Sequence, residues 1–179
     1  MNTTEQTTRS KFPLSERKII KKTLSAGIVW FILLIFVIGF CIVSLNTSEL
    51  LPREIVANVM IGSIVVFGLI VLITYLYQLW YFKVYSYNLS ENFIMIKKGP
   101  ITPHEITIPY ERVQDVYVDQ DLLDRIFKIY DVHLSSATAS SGMQAHIDGV
   151  ERASADGLRE ILLNTVHQKL NKNKIQPLA

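Results

Sequence analysis

Cysteine is nearly absent from this chain of 179 residues; Cys41 is the single one. An intrachain disulfide framework is thereby excluded, and no redox compartment can be read from it. Charge is missing from two long stretches, Thr23 to Ser48 (26 residues) and Ile55 to Phe82 (28 residues), neither of which holds an Asp, Glu, Lys, Arg or His. Ionisable groups inside a membrane mark ion paths and proton relays, so their lack argues against a transporter or pump built from this chain alone. Gly62 and Gly68 lie six apart, so no G-x-x-x-G helix-pairing face is defined. Residues 83–179 hold 11 basic and 12 acidic side chains, which is unlike the basic surface of nucleic-acid binders. Nucleic acid is not expected as a partner.

What is present is two apolar runs, each longer than the roughly 20 helical residues that cross a hydrocarbon core. In lipid every backbone amide needs an internal partner, so each run is expected as a transmembrane helix, over residues 23–48 and 55–82. The first is too long for a signal-peptide core and meets no small-residue cleavage site. Residues 1–22 carry six basic side chains against Glu5 and Glu16, whereas the connector 49–54 offers only Arg53 against two glutamates. Positive flanks stay in the cytoplasm. The expected protein is therefore multi-pass in the cell membrane, with a basic cytoplasmic N-terminal segment, a short extracytoplasmic turn, both termini cytoplasmic, and Pro52 at the first helical position of the second span. Tyr75, Tyr77, Trp80, Tyr81 and Phe82 crowd the end of that span, where amphipathic rings prefer headgroup depth.

The remaining segment, 83–175, alternates in short runs separated by turn signals, the pattern of an antiparallel sheet with one covered face. Tyr85, Tyr87 and Leu89 alternate; FIMIKKGPI stops at Gly99 and Pro100; HEITIP, VQDVYVDQ, DVHLSS and QAHIDGV follow, the last turning at Asp148 and Gly149. LLDRIF (Leu122 to Phe127) fits one helical turn. Leu158, Ile161, Leu162, Thr165, Val166, Lys169 and Leu170 then keep helical spacing, with Ser154 as N-cap. Strands followed by one closing helix give an α+β or capped-barrel domain.

No motif in this domain brings catalytic or cofactor chemistry, and none is expected. Asp119, Asp121 and Asp124 include D-x-D, but Leu122 and Leu123 occupy the place where a calcium loop needs oxygen ligands and a glycine; solvated carboxylates or helix caps suit them better. His104, His133, His146 and His167 lack zinc-ligand spacing. Ser135 to Gly142 has neither a nucleophile elbow nor a phosphate loop. The remaining constellation is Arg112, Gln114, Asp115, Asp124, Arg125 and Asp131, interleaved with apolar positions, with Arg112, Gln114 and Val116 on one face by alternation. Such a set either forms an internal ion-pair network at a corner or presents a polar face to a partner. Lys83, Lys97 and Lys98 are the candidates for lipid headgroup contacts.

IPYERVQDV (Ile108 to Val116), then DLLDRIFKIYDVHLSSA (Asp121 to Ala137) and a late DGV before a terminal helix, all after a helical hairpin, resemble the YdbS-like bacterial pleckstrin-homology family, whose domains flank the membrane. The resemblance implies a bent seven-stranded sheet or barrel capped by one helix. The whole is then a membrane-anchored α+β protein in which a two-helix transmembrane hairpin precedes a PH-like domain. Lys128 stands where this family usually has glycine, and Ser136 where threonine is common. The implied role is that of a non-enzymatic, membrane-tethered interaction module on the cytoplasmic face. Its partners would be the bilayer and another membrane protein, a lipid headgroup or a second copy, in a setting such as envelope stress or resistance to membrane-active peptides. An accessory subunit of a transporter, or a membrane-surface enzyme, is the alternative.

Overall fold

The computed structural model describes residues 8–47, 52–136 and 145–175. They form two compact units, Ile19–Leu79 and a second made of the chain up to Lys18 together with that from Trp80 onward.

The first unit consists of two helices, α1 (Arg17–Thr47) and α2 (Arg53–Val84), both long and apolar enough to cross a membrane. Three of their hydroxyls are satisfied within the helices, since Thr23, Ser63 and Thr74 donate to the carbonyls of Ile19, Met60 and Ile70 at 2.8 Å, whereas the buried Ser44 Oγ has no hydrogen-bond partner among the described residues. Phe31 and Phe67 meet between the helices with ring centroids 6.1 Å apart. Outward-facing side chains are apolar, Phe36 being 71% and Ile73 64% exposed. Pro52 falls one position before the expected one: α2 begins at Arg53, and the Pro52 carbonyl accepts from Val56 N. Glu49 to Leu51 of the connector lie outside the described residues.

The second unit holds two antiparallel three-stranded sheets. Sheet one is β1 (Ser86–Leu89), β2 (Phe93–Lys98) and β3 (His104–Pro109); sheet two is β4 (Val113–Asp119), β5 (Tyr130–Ser136) and β6 (His146–Val150). The sheets do not close into a barrel, which corrects the barrel expected from the sequence; six strands are present among the described residues, not seven. The physical break is at Pro109, which has no N–H to donate and leads into the 3-10 turn Tyr110–Arg112, so that β4 pairs with β5 rather than with β3. Helix α3 (Leu122–Phe127) joins β4 to β5, and helix α4 (Arg152–Ile175) lies against β4, β5 and the 3-10 turn through Ala155, Leu158, Leu162 and Val166. The expected N-cap Ser154 is inside this helix, which starts two residues earlier, with Ala155 N bonding the Glu151 carbonyl. Leu170 is left exposed at the far end of the stripe.

Two bulges shift the expected alternation. Val113 pairs with Ser136 and Asp115 with Ser135, so Gln114 is the extra residue and Val113 and Val116 both face the core. The expected common face of Arg112, Gln114 and Val116 therefore does not exist: Arg112 is in the 3-10 turn, Gln114 is exposed and Val116 is buried. In β6, Asp148 and Gly149 together oppose Asp131, and the strand runs on to Val150 instead of turning there.

The core also takes in the chain before α1. Residues 8–11 make one helical turn, then Phe12 and Leu14 enter the core, Leu14 bridging Val150 and Ser15 N donating to the Gly149 carbonyl at 2.8 Å. Gly157 of α4 makes room for this, since a Cβ there would lie 2.7 Å from the Phe12 ring. The strand registers give the unit a direction. Ser86, Lys97 to His104, Asp119 to Tyr130 and Val150 lie at one end, where Val84 leads into β1 and Arg17 meets the Phe127 carbonyl; this is the proximal end. Arg112 to Asp115 and the Ser90 to Asn92 turn lie at the opposite, distal end, where Tyr110 N donates to the Asn92 carbonyl.

Three core tyrosines set an alkaline limit. Burial raises the Tyr85 phenol well above its usual 10, with Tyr81 and Asp131 adding to it; burial likewise raises Tyr87 and pushes Tyr110 up to about 12. A raised phenol favours the protonated fold, so this stability is complete below pH ~10 and is lost as the pH climbs through the folded values. Absorbance titration should show Tyr85, Tyr87 and Tyr110 ionising only as tertiary structure disappears; ionisation of all eight tyrosines near pH 10 with the fold intact would contradict this. Lys128 caps α3 in the left-handed region (φ 56°, ψ 43°), where a Cβ costs roughly 1–2 kcal/mol. Lys128→Gly should raise the denaturation midpoint by about 1 kcal/mol equivalent, part of the relief being offset by unfolded-state entropy.

Candidate functional site

Polar side chains of the second unit gather in two places. The first is a cluster at the proximal end built around a buried ion pair. Lys18, the second residue of α1, is 4% exposed and Asp148 5%. The Lys18 Nζ lies 3.2 Å from Asp148 Oδ2, donates to the Asp148 carbonyl at 3.3 Å and sits 4.2 Å from the Tyr85 ring centroid. Two charges removed from water need this density of partners, because desolvation costs several kcal/mol per ion. Gly149 is required beside them: its φ is +72°, and a Cβ would fall 2.7 Å from Lys18 Cδ. Its N–H, turned out of the ladder by the bulge, donates to Asp131 Oδ1 at 2.6 Å. The Tyr85 hydroxyl donates to the His146 carbonyl at 2.9 Å, tying the start of sheet one to β6.

A row of rings continues from this pair across sheet two. Tyr117, His133 and His146 are directly paired in neighbouring strands, and their rings stack at 5.0 and 5.3 Å. Lys98 Nζ lies 3.3–3.4 Å from the ring nitrogens of His146, and His133 Nε2 lies 3.1 Å from Asp119 Oδ1. His146 Nε2 is 2.7 Å from Asp148 Oδ1, off the hydrogen-bond line, since Oδ1 has no aligned donor. These contacts link six segments, from α1 to β6. Among the described residues, no three His, Cys, Asp or Glu side chains are grouped to hold a metal ion. Sequence spacing concealed this cluster because His133 and His146 lie 13 positions apart and Lys18 lies 130 from Asp148; the strand register alone makes His133 and His146 neighbours.

The second place is the distal corner, where Arg112, Gln114 and Asp115 are all exposed. The six residues expected as one constellation are in fact divided. Asp124, 1% exposed, belongs to a reciprocal capping box: its N–H donates to Asp121 Oδ1 at 2.8 Å, and Asp121 N–H donates to its Oδ2 at 3.1 Å. Asp131 serves Gly149. Arg125 is exposed on α3, at the other end of β4 from Arg112, and a strand of 7 residues separates them by ~20 Å. Among the described residues no ion pair joins Arg112 or Arg125 to a carboxylate. Of the lysines named for headgroups, Lys83 is exposed at the end of α2, Lys97 lies 3.7 Å from Glu105, and Lys98 is engaged with His146. The serine-rich loop lies mostly outside the described residues.

The family described as Bacterial PH domain matches this sequence over residues 28–166, a span that takes in most of both long helices as well as the sheets. No curated protein and no solved structure matches the chain.

The ion pair makes a quantitative prediction. Lys18→Ala strands Asp148 as a buried charge and should cost about 3–5 kcal/mol in thermal unfolding of the chain in mild detergent. Lys18→Met with Asp148→Leu should recover most of that loss; equal instability of the single and double variants would contradict the pairing.

Proposed function

The chain belongs to the bacterial PH domain family, its match covering 28–166, and on that basis we propose that it is a membrane-tethered, non-enzymatic interaction module that presents its distal corner to another membrane protein. The observation that carries this reading is the polarity of the folded unit. Both apolar helices leave from the proximal end, and Arg112, Gln114 and Asp115 stand uncommitted to the fold at the other.

Two helices whose outward side chains are mostly apolar and exposed require lipid, because soluble proteins do not leave contiguous apolar surface of that extent in water. The basic side chains flanking the pair, six of them in residues 1–22, favour a cytoplasmic position for the folded unit. Tethering then supports a weak contact, because confinement to one membrane raises the effective concentration of its components to about the millimolar range for short links. Arginine suits such a surface through its fixed fork of donors, which pairs with a carboxylate in two parallel bonds. An assembly with a second copy or with a transporter uses the same surface and is separated from it by what copurifies.

Affinity purification of the full chain in mild detergent, followed by identification of bound membrane proteins, tests this. Arg112→Ala and Arg112→Glu should abolish capture while thermal unfolding moves by no more than ~0.5 kcal/mol, as for an exposed site. Unchanged capture with both variants removes the distal corner from the account, and loss of folding in both would make Arg112 structural.

A further inference from the structure

We infer that the proximal end of the folded unit is itself seated on the bilayer through two apolar tips, the turn carrying Ile101 and the α3 ridge of Leu122 and Ile126. The inference rests on the membrane-tethered reading above and adds a lipid-facing surface to it. Outside α1 and α2, the large apolar side chains exposed among the described residues are Ile101, Tyr117, Leu122, Ile126 and Leu170, with Leu122 at 78%, Ile101 at 67% and Ile126 at 66%. The three most exposed lie beside the two points where the long helices leave. Ser86, two residues beyond α2, pairs with Lys97, so the turn between β2 and β3 that holds Ile101 is next to the end of that helix. Arg17, the first residue of α1, donates from Nη1 to the Phe127 carbonyl at 3.4 Å, which brings the end of α3 to the start of the other helix.

Leu122 and Ile126 are i and i+4 on α3 and share a face with Arg125. Asp124, on the opposite face, is buried in the capping box. Basic side chains stand beside both tips: Arg17, Arg125 and Lys128 gather at the α3 end near α1 and Lys83 stands by the Ile101 turn, where Lys97 is paired with Glu105 at 3.7 Å and Lys98 with His146, while the acidic Asp119 and Asp121 lie toward the other end of α3. Basic side chains around short apolar tips are what an interfacial contact uses: the apolar groups enter the headgroup boundary and the cations stay above it.

The test uses the full chain with Cys41→Ala as background, in nanodiscs of phosphatidylcholine with phosphatidylglycerol. Nitroxide labels are placed singly through Ile101→Cys, Leu122→Cys and Ile126→Cys. Glu91→Cys in the distal turn serves as the aqueous reference, and Phe36→Cys in α1 as the hydrocarbon reference. Collision with oxygen against collision with a water-soluble nickel chelate should rank 101, 122 and 126 several fold above 91 and below 36. Values at 101, 122 and 126 equal to that at 91, with 36 deep, overturn the docking and leave the tether standing. Exclusion of both reagents from 122 and 126 means that protein covers the ridge and likewise overturns it. A water-exposed label at 36 removes the tether itself, and the docking with it.

Discussion

The contact between Lys18 and Asp148 is the constraint on which the rest of the folded unit depends. A lysine at the base of a long apolar helix would ordinarily remain in water, yet here it is buried among Asp148, Tyr85 and the Gly149 backbone. Burial of this kind is stabilising only when every partner is in place. It therefore fixes several features together: the bulge that brings Asp148 inward, the glycine whose missing Cβ leaves room for the lysine stem, and the carboxylate of Asp131 that receives the displaced N–H. The same pair joins the first turn of α1 to β6.

From that pair the domain acquires its polarity. Residues 8–16 belong to the folded unit, because Phe12 and Leu14 complete the core and the Tyr87 hydroxyl donates to the Phe12 carbonyl. Within the folded unit, the registers of six short strands assign the described loops to one of two ends. The carboxylates Asp124 and Asp131 are spent on a helix cap and a bulge, whereas the side chains of Arg112, Gln114 and Asp115 are exposed and make no ion pair among the described residues. On the proposed reading, this contrast separates residues that keep the structure from residues offered to a partner.

Much of the architecture was legible in the sequence because local signals agreed. Phe93 to Lys98 ends at Gly99, whose φ is +86°, and Leu122 to Phe127 forms the short helix expected for LLDRIF, with Asp121 as its cap. Lys128, where the family usually has glycine, occupies a left-handed cap, so the departure from the family pattern marks a real backbone demand. Illegible were the features that depend on pairing across the chain. The bulge at Gln114 reverses which residues face inward, and no period-2 reading can locate it. The His133–His146 stack follows from register alone. Phe12 and Leu14 are only two apolar residues around a proline in a charged segment, and their docking depends on the gap at Gly157. The apparent unity of Arg112 and Arg125 came from nearness in sequence, whereas β4 holds them at opposite ends.

The central claim is that two lipid-embedded helices hold a folded PH-type unit on the inner face of the membrane. Protease treatment of sealed, right-side-out vesicles measures it most directly. The account predicts that the chain from Lys83 onward survives until the vesicles are permeabilised and is cut afterwards. Cleavage within Lys83 to Ala179 while the vesicles remain sealed would contradict it.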